Sequence, residues 1–397
     1  MQIKERVILH SDVNNFFASV ECSSKPELLS QPVAVTGNPQ KRTGIILAKN
    51  EVAKKYGVKT GQVIGEAKAL CPALVCLPPH YDLYEEISKL LHLIYLDYTN
   101  FVEPLGLDEC WLDVTDGLKY LKMTGKEIAD QIRARVKKEF NFTVSVGVSF
   151  SKIFAKLASD LRKPDFTTVI SRENFKEMTY SLPLNSIIGI GRRLERKFNS
   201  IDVTTIGDFV KLEDSYLNNL MGINGLNLKQ DLLGTRNVAV SDYYTLSPPK
   251  SVGNGTTLLK DIQNREDIKK VIYFLAEKVA LRLKKHNLEA QCISITIKNK
   301  DLKTYHISRK MEKTGSIKEI ARAAQELCDK IWKYNYPVRA IRLRCSMLSN
   351  RFVKQMSFFD TKKDYSDAEE LINEKYGKIQ LASNLNDFIN PSSHPQE

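Results

Sequence analysis

Asp12, Asp108 and Glu109 are three carboxylates whose setting points to joint chemistry. Two divalent ions about 3.5–4 Å apart, held by shared carboxylates, can align an attacking hydroxyl with a phosphorus and stabilise the leaving oxygen. Mg²⁺ suits that task because it takes a few carboxylates plus substrate phosphates rather than a full protein cage. Asp12 closes the apolar run Val7-Ile8-Leu9, and the backbone carbonyl of Val13 could complete a coordination shell. Asp108 and Glu109 lie inside Pro104-Leu105-Gly106-Leu107-Asp108-Glu109-Cys110-Trp111-Leu112. An Asp-Glu pair is common on solvated surfaces. Charges inside so apolar a segment, however, need a cation or another partner to offset their desolvation.

The elements around these residues could bring them together. Residues 7–12 read as a buried strand that runs into a short apolar helix start at Phe16-Phe17-Ala18. Residues 22–80 form a small mixed region with one clear helix over 48–56, ended by Gly57. A helix over 81–98 places Leu83, Ile87, Leu90, Leu91 and Ile94 at helical spacing. Strands over 101–104 and 107–114 flank Gly106, and a helix over 125–140 precedes a strand over 143–148. The order is βαββαβ, an antiparallel sheet with helices on one face. That topology sets the end of the first strand beside the central hairpin, so Asp12 and the Asp108-Glu109 pair are expected to be neighbours.

Residues 176–240 read as helical with glycine punctuation, and Ser247-Pro248-Pro249 marks a linker. A second βαββαβ follows, with strands over 291–298 and 340–347 and helices near 267–286 and 317–334. Ile293, Ile295 and Ile297 alternate with Ser294, Thr296 and Lys298, and Ile341, Leu343 and Cys345 alternate with Arg342, Arg344 and Ser346. One sheet face is apolar and the other polar and cationic. Such a face is usually solvated, yet paired arginines could equally line a phosphate backbone.

The chain has 397 residues, 42% hydrophobic and 27% charged, which suits a globular protein of several domains. No apolar run is long enough to span a bilayer, and the N-terminal apolar run is too short for a signal peptide. Seven cysteines without a CxxC pair argue against a zinc ribbon or a disulfide framework. A cytoplasmic protein without membrane contact is expected. The formal net charge is +12, and residues 246–350 hold 22 Lys/Arg against 10 Asp/Glu, so one segment carries the whole excess. That segregation points to a nucleic-acid partner.

Larger motifs now become legible. Residues 12–21, Asp-Val-Asn-Asn-Phe-Phe-Ala-Ser-Val-Glu, resemble the opening motif of Y-family translesion DNA polymerases. Leu107-Asp108-Glu109 with Leu112-Asp113 resembles the second carboxylate motif. Ser145–Lys152, Ala155–Asp160 and Lys163-Pro164-Asp165 are similar to the third. The order and spacing are the family's, and the likeness, nearest to the bacterial polymerase IV (DinB-type) branch, extends to about residue 350. It implies an α+β architecture: palm (1–15 and 82–175), small fingers (16–81), helix-hairpin-helix thumb (176–240), linker (241–249), little finger (250–350) and tail (351–397). It further implies an error-prone, template-directed enzyme that joins a dNTP to a primer 3′-hydroxyl and works as a monomer.

By the same resemblance, Asp12, the Val13 carbonyl, Asp108 and Glu109 bind two Mg²⁺ ions, with Mn²⁺ able to substitute. Backbone groups near Asn15 and Phe16 meet the triphosphate, and Phe17 stacks under the sugar and excludes a 2′-hydroxyl. Either phenylalanine could also simply be core. Lys163 reaches the phosphates. Gly189-Ile190-Gly191 resembles a helix-hairpin-helix turn on the DNA backbone, and Lys250, Arg342 and Arg344 are further DNA contacts. Gln355-Met356-Ser357-Phe358-Phe359 resembles the peptide by which bacterial polymerases dock on the sliding clamp, through Gln355, Met356, Phe358 and Phe359. This chain departs from the family on the fingers helix. Glu51 and Lys54 stand where many members have Tyr and Arg, and Lys54 supplies a charge but no bidentate fork. Ala48 and Phe166 also differ from the usual residues. Two other readings use the same features: a catalytically weak DNA-binding factor, and a nucleotide cyclase, for which the thumb-like and basic segments would have no purpose.

Overall fold

The computed structural model describes residues 5–37, 44–333 and 335–351. The described residues fall into two compact units, one of 5–35 and 46–246, the other of 247–351 with 36–37 and 44–45. Among the described residues, no helix is long and apolar enough to cross a membrane.

In the first unit, β1 (Ile8–Val13) leads into α1 (Phe16–Ser23). A small sheet follows, made of β2 (Val33–Thr36), β3 (Ile46–Lys49) and, after α2 (Glu51–Lys55) and α3 (Ile64–Leu70), β4 (Val75–Leu77). The expected helix over 48–56 is therefore shorter. Ala48 and Lys49 belong to β3, and Asn50 starts the helix by accepting the Ala53 N–H on its side chain at 2.9 Å. Next come α4 (Tyr81–Leu96), β5 (Val102–Leu105), β6 (Glu109–Asp113), the short α5 (Gly117–Leu121), α6 (Gly125–Phe140) and β7 (Val144–Ser149). The expected βαββαβ is present. It is extended by α7 (Lys152–Leu161) and β8 (Thr167–Ile170), giving a five-stranded sheet in the order β5-β6-β1-β7-β8. On α4 the buried stripe is Tyr84, Ser88, Leu91, Ile94 and Tyr95, while Leu83 and Leu90 face solvent.

Both faces of this sheet are covered, which is why β1 is buried along its whole length. Leu9 and Val13, with Cys110, Leu112, Val144, Val146 and Val148, face Leu91 and Ile94 of α4 and Ile128, Ile132 and Val136 of α6. The opposite face holds His10 and Asp12 of β1, Glu109 and Trp111 of β6 and Gly147 of β7. There α7 lies directly on the sheet. A Cβ on Gly147 would stand 2.0 Å from the Ala155 carbonyl oxygen, so only glycine permits this approach. A helical segment follows: α8 (Phe175–Thr179), α9 (Arg192–Asn199), α10 (Ile206–Lys211), α11 (Asp214–Met221) and α12 (Ile223–Leu232), packed around Phe198, Phe209 and Leu217.

The second unit is the expected second βαββαβ: β9 (Ser251–Ile262), α13 (Arg265–Lys285), β10 (Leu288–Asn299), β11 (Thr304–Thr314), α14 (Ile317–Trp332) and β12 (Val338–Asn350). Its sheet runs β11-β10-β12-β9 and is antiparallel where the pairings are described. Ile293, Ile295, Ile297, Ile341 and Leu343 pack beneath α13 and α14, whereas Arg342 and Arg344 are exposed on the other face.

Candidate active site

Strand register alone brings Asp12 opposite Glu109 across the β1–β6 pair. Asp108 sits in the turn before β6, and its carbonyl accepts the Val13 N–H at 3.0 Å. Asp12 is 5% exposed. Among the described residues no group of three His, Cys, Asp or Glu side chains forms a ready metal cage. The space between the carboxylates is answered instead by two ammonium groups. Lys156 of α7 lies 3.2 Å from Asp12, 2.9 Å from Glu109 and 3.3 Å from Asp160. Lys163 lies 2.8 Å from both Asp12 and Asp160.

The titration directions show how far this compensation goes. Burial pushes the Asp108 carboxyl up to about 6, with Glu109 and Asp12 adding to the rise. Burial also raises Asp12, against the pull of Lys163 and Lys156. For Glu109 burial is outweighed by His10 and Lys156, which hold it down to about 2. Lys156 is raised because Asp12, Glu109 and Asp160 together outweigh its desolvation. The cluster thus remains short of positive charge even with two lysines in it. Its donors are hard carboxylate oxygens, a chemistry that suits a cation completed by substrate oxygens rather than by protein alone.

His10 of β1 also belongs to this face, a residue the motifs do not single out. It is fully buried, its Nδ1 lies 2.9 Å from Ser159 Oγ, and its Nε2 lies 3.4 Å from Glu109. The available signal was strand alternation, since a residue two before Asp12 shares its face. Lys156 and Asp160 likewise reach the site only because α7 crosses the sheet at Gly147. Lys152 is placed elsewhere: its ammonium pairs with Glu103 and lies 4.4 Å over the Trp111 ring.

Phe16 is 3% exposed and belongs to the core under the sheet. Phe17 is half-buried and stacks on Tyr84 at 4.3 Å and 12°. Asn15, with φ 55°, begins α1 and donates from Nδ2 to Glu51 at 2.9 Å. Lys54 is an exposed partner of the same carboxylate at 3.4 Å. Gly189, at φ 96°, lies in the turn before α9, and Gly191 caps that helix. Lys250 is exposed in the second unit just before β9. Gln355, Met356, Phe358 and Phe359 lie outside the described residues.

A palm-like sheet with its carboxylates on the central strand and hairpin, a helical segment and a second βαββαβ together define a Y-family polymerase fold. Known proteins agree. Solved relatives in fold include a Y-family DNA polymerase chimera of Dbh and Dpo4, with a TM-score of 0.79 at 24% identity, covering 87% of this chain and 99% of that one. Another is DinB from Sulfolobus solfataricus, with a TM-score of 0.58 at 23% identity, covering 86% and 98%. In sequence, the impB/mucB/samB family matches residues 11–160, and its C-terminal domain matches residues 249–358. DNA polymerase IV of Acetivibrio thermocellus is 43% identical over 357 residues, covering 89% of each chain. DNA polymerase IV 1 of Bacillus subtilis is 33% identical over 382 residues, covering 94% of this chain and 91% of its own. The chain belongs to the DNA polymerase IV family and is a DNA-directed DNA polymerase.

Proposed function

We propose that this enzyme carries out error-prone translesion synthesis, with Asp12, the Val13 carbonyl, Asp108 and Glu109 holding two Mg²⁺ ions, or Mn²⁺ in their place. The observation that carries this reading is the Asp12–Glu109 pairing across adjacent strands, with Asp108 in the turn just before β6 and its carbonyl on the Val13 N–H. When bound, such ions supply activation of the primer 3′-hydroxyl and charge stabilisation on the phosphoryl oxygens. The chain's own groups supply the rest. Lys163 and Lys54 offer ammonium charge to the triphosphate. The N–H groups at the start of α1, near Asn15 and Phe16, meet its oxygens. The Phe17 ring, held by Tyr84, closes the space a 2′-hydroxyl would need.

DNA is gripped through its backbone by the Gly189–Gly191 turn and by Lys250, Arg342 and Arg344. The enzyme works as a cytoplasmic monomer, recruited to a sliding clamp by Gln355, Met356, Phe358 and Phe359. Deleting 355–359 abolishes clamp-stimulated synthesis and spares basal synthesis; equal stimulation of both forms would refute the docking role. The test of the catalytic reading is primer extension with dNTPs and Mg²⁺, run beside Asp108→Ala. Extension by the parent and none by the variant is expected. A folded parent that extends nothing, or an active variant, would sink it.

A further inference from the structure

Four of the helices described above are capped by a polar side chain at the N-cap, while Asp116, Ser151, Asn174 and Ser316 make no such bond. Asn50, Thr124, Thr205 and Asn264 each accept a backbone N–H from the helix they begin. Asn15 does not. It sits in the left-handed region at φ 55°, ψ 40°, and makes no side-chain cap to α1. Its carbonyl accepts the Ser19 N–H at 3.0 Å, so the helix starts in register, but its amide points to the fingers and donates to Glu51 Oε1 at 2.9 Å. Glu51 is itself held in place, since it is the first residue of α2 and has Lys54 Nζ at 3.4 Å. Asn50 offers the contrast within the same molecule: with φ −80° and ψ 172° its side chain turns onto Ala53 N–H.

The consequence falls on α1. An Asn released from Glu51 would relax to the extended region and cap its own helix, satisfying the N–H groups of the first turn. Held as it is, its side chain leaves them to a ligand. We propose that Glu51 is a positioning residue for nucleotide binding: by taking the Asn15 amide it keeps the first turn of α1 open to the triphosphate. This rests on the reading of the start of α1 as the triphosphate seat. It also resolves the oddity of an acid on the fingers helix, because the Glu51 carboxylate is engaged by Asn15 and Lys54 rather than turned bare toward phosphate.

Single-nucleotide incorporation on an undamaged primer-template tests it, with KM for the dNTP and kcat measured separately. Glu51→Ala raises KM about five- to tenfold, the worth of one cap, with kcat little changed. Glu51→Gln keeps an acceptor oxygen and restores most of the affinity. The decisive arm is the Asn15→Gly background, which tolerates positive φ but has no side chain to cap with. There Glu51→Ala produces no further rise in KM. A Glu51→Ala KM that is unchanged or lower, a Glu51→Gln effect as large as that of Ala, or an equal rise in the Asn15→Gly background would each overturn the proposal. Failure of the polymerase reading would show differently, as a parent without primer extension or an Asp108→Ala variant that retains it.

Discussion

Gly147→Ala is the perturbation that most directly links packing to the site. Gly147 pairs with His10 in the centre of the sheet, and a Cβ there would stand 2.0 Å from Ala155 O, 2.5 Å from Ser159 N and 2.8 Å from Ala158 Cβ. Two of these are backbone atoms, so no side-chain rotation relieves the clash. Restoring ordinary van der Waals separation requires α7 to retreat by about 1 Å or more. Overpacking of this kind costs about 2 kcal/mol, which lowers the melting temperature by about 4–8 °C for a unit of this size. The same movement carries Lys156, Ser159 and Asp160 away from Asp12, Glu109 and His10. A displacement of about 1 Å at such a site reduces turnover by about 10²-fold. Calorimetric melting and primer-extension rates, measured on the same preparation, check both halves. A variant that melts within about 1 °C of the parent and extends at the parental rate would refute the argument that α7 is seated through Gly147.

Three further outcomes follow from the geometry. Asp108 titrates near 6 when folded, above the usual carboxylate value of about 4. Between those values the folded chain holds the proton and the unfolded chain has lost it, so this group's contribution to stability falls as pH rises toward 6. Without added divalent cation, Asp108→Asn should therefore gain in melting temperature relative to the parent between pH 4.5 and 7, and a pH-independent difference would contradict the assignment. Replacing Arg342 and Arg344 by Ala should reduce the slope of log K against log salt for DNA binding by about 0.9 per lost phosphate contact; an unchanged slope would remove them from the interface. Phe17→Ala should raise ribonucleotide incorporation relative to deoxyribonucleotide by about 10–200-fold, and unaltered sugar selectivity would refute its role.

The parts of the fold that repeat were legible in the sequence. Ile293, Ile295 and Ile297 alternate, and they pack beneath α13 and α14 as the period of two requires. The βαββαβ order likewise brought Asp12 to Glu109, because strand register fixes such neighbours whatever lies between them in the chain. What the sequence did not reveal depends on a second layer. β1 is buried on both faces, so its burial pattern does not show which face carries the site, and only the spacing of two from Asp12 sets His10 on that face. That face exists only because α7 crosses at a glycine. The helix expected over 48–56 failed for a local reason, since Asn50 caps a helix that starts later and its upstream residues pair in β3. On α4, spacing alone favoured Leu83 and Leu90, but the aromatic rings of Tyr84 and Tyr95 take the buried stripe. In the sequence Glu51 stands only as a departure from the family's usual residue, and the fold shows its carboxylate engaged by Asn15 and Lys54.

The central claim is that Asp12, Asp108 and Glu109 hold a pair of divalent ions. Counting bound Mn²⁺ by electron paramagnetic resonance, in a complex with a 3′-deoxy primer-template and the correct dNTP, tests it most directly. The account predicts two ions per enzyme in the parent and fewer in Asp12→Asn, with DNA still bound. The same count in both proteins, or fewer than two in the parent, would contradict it.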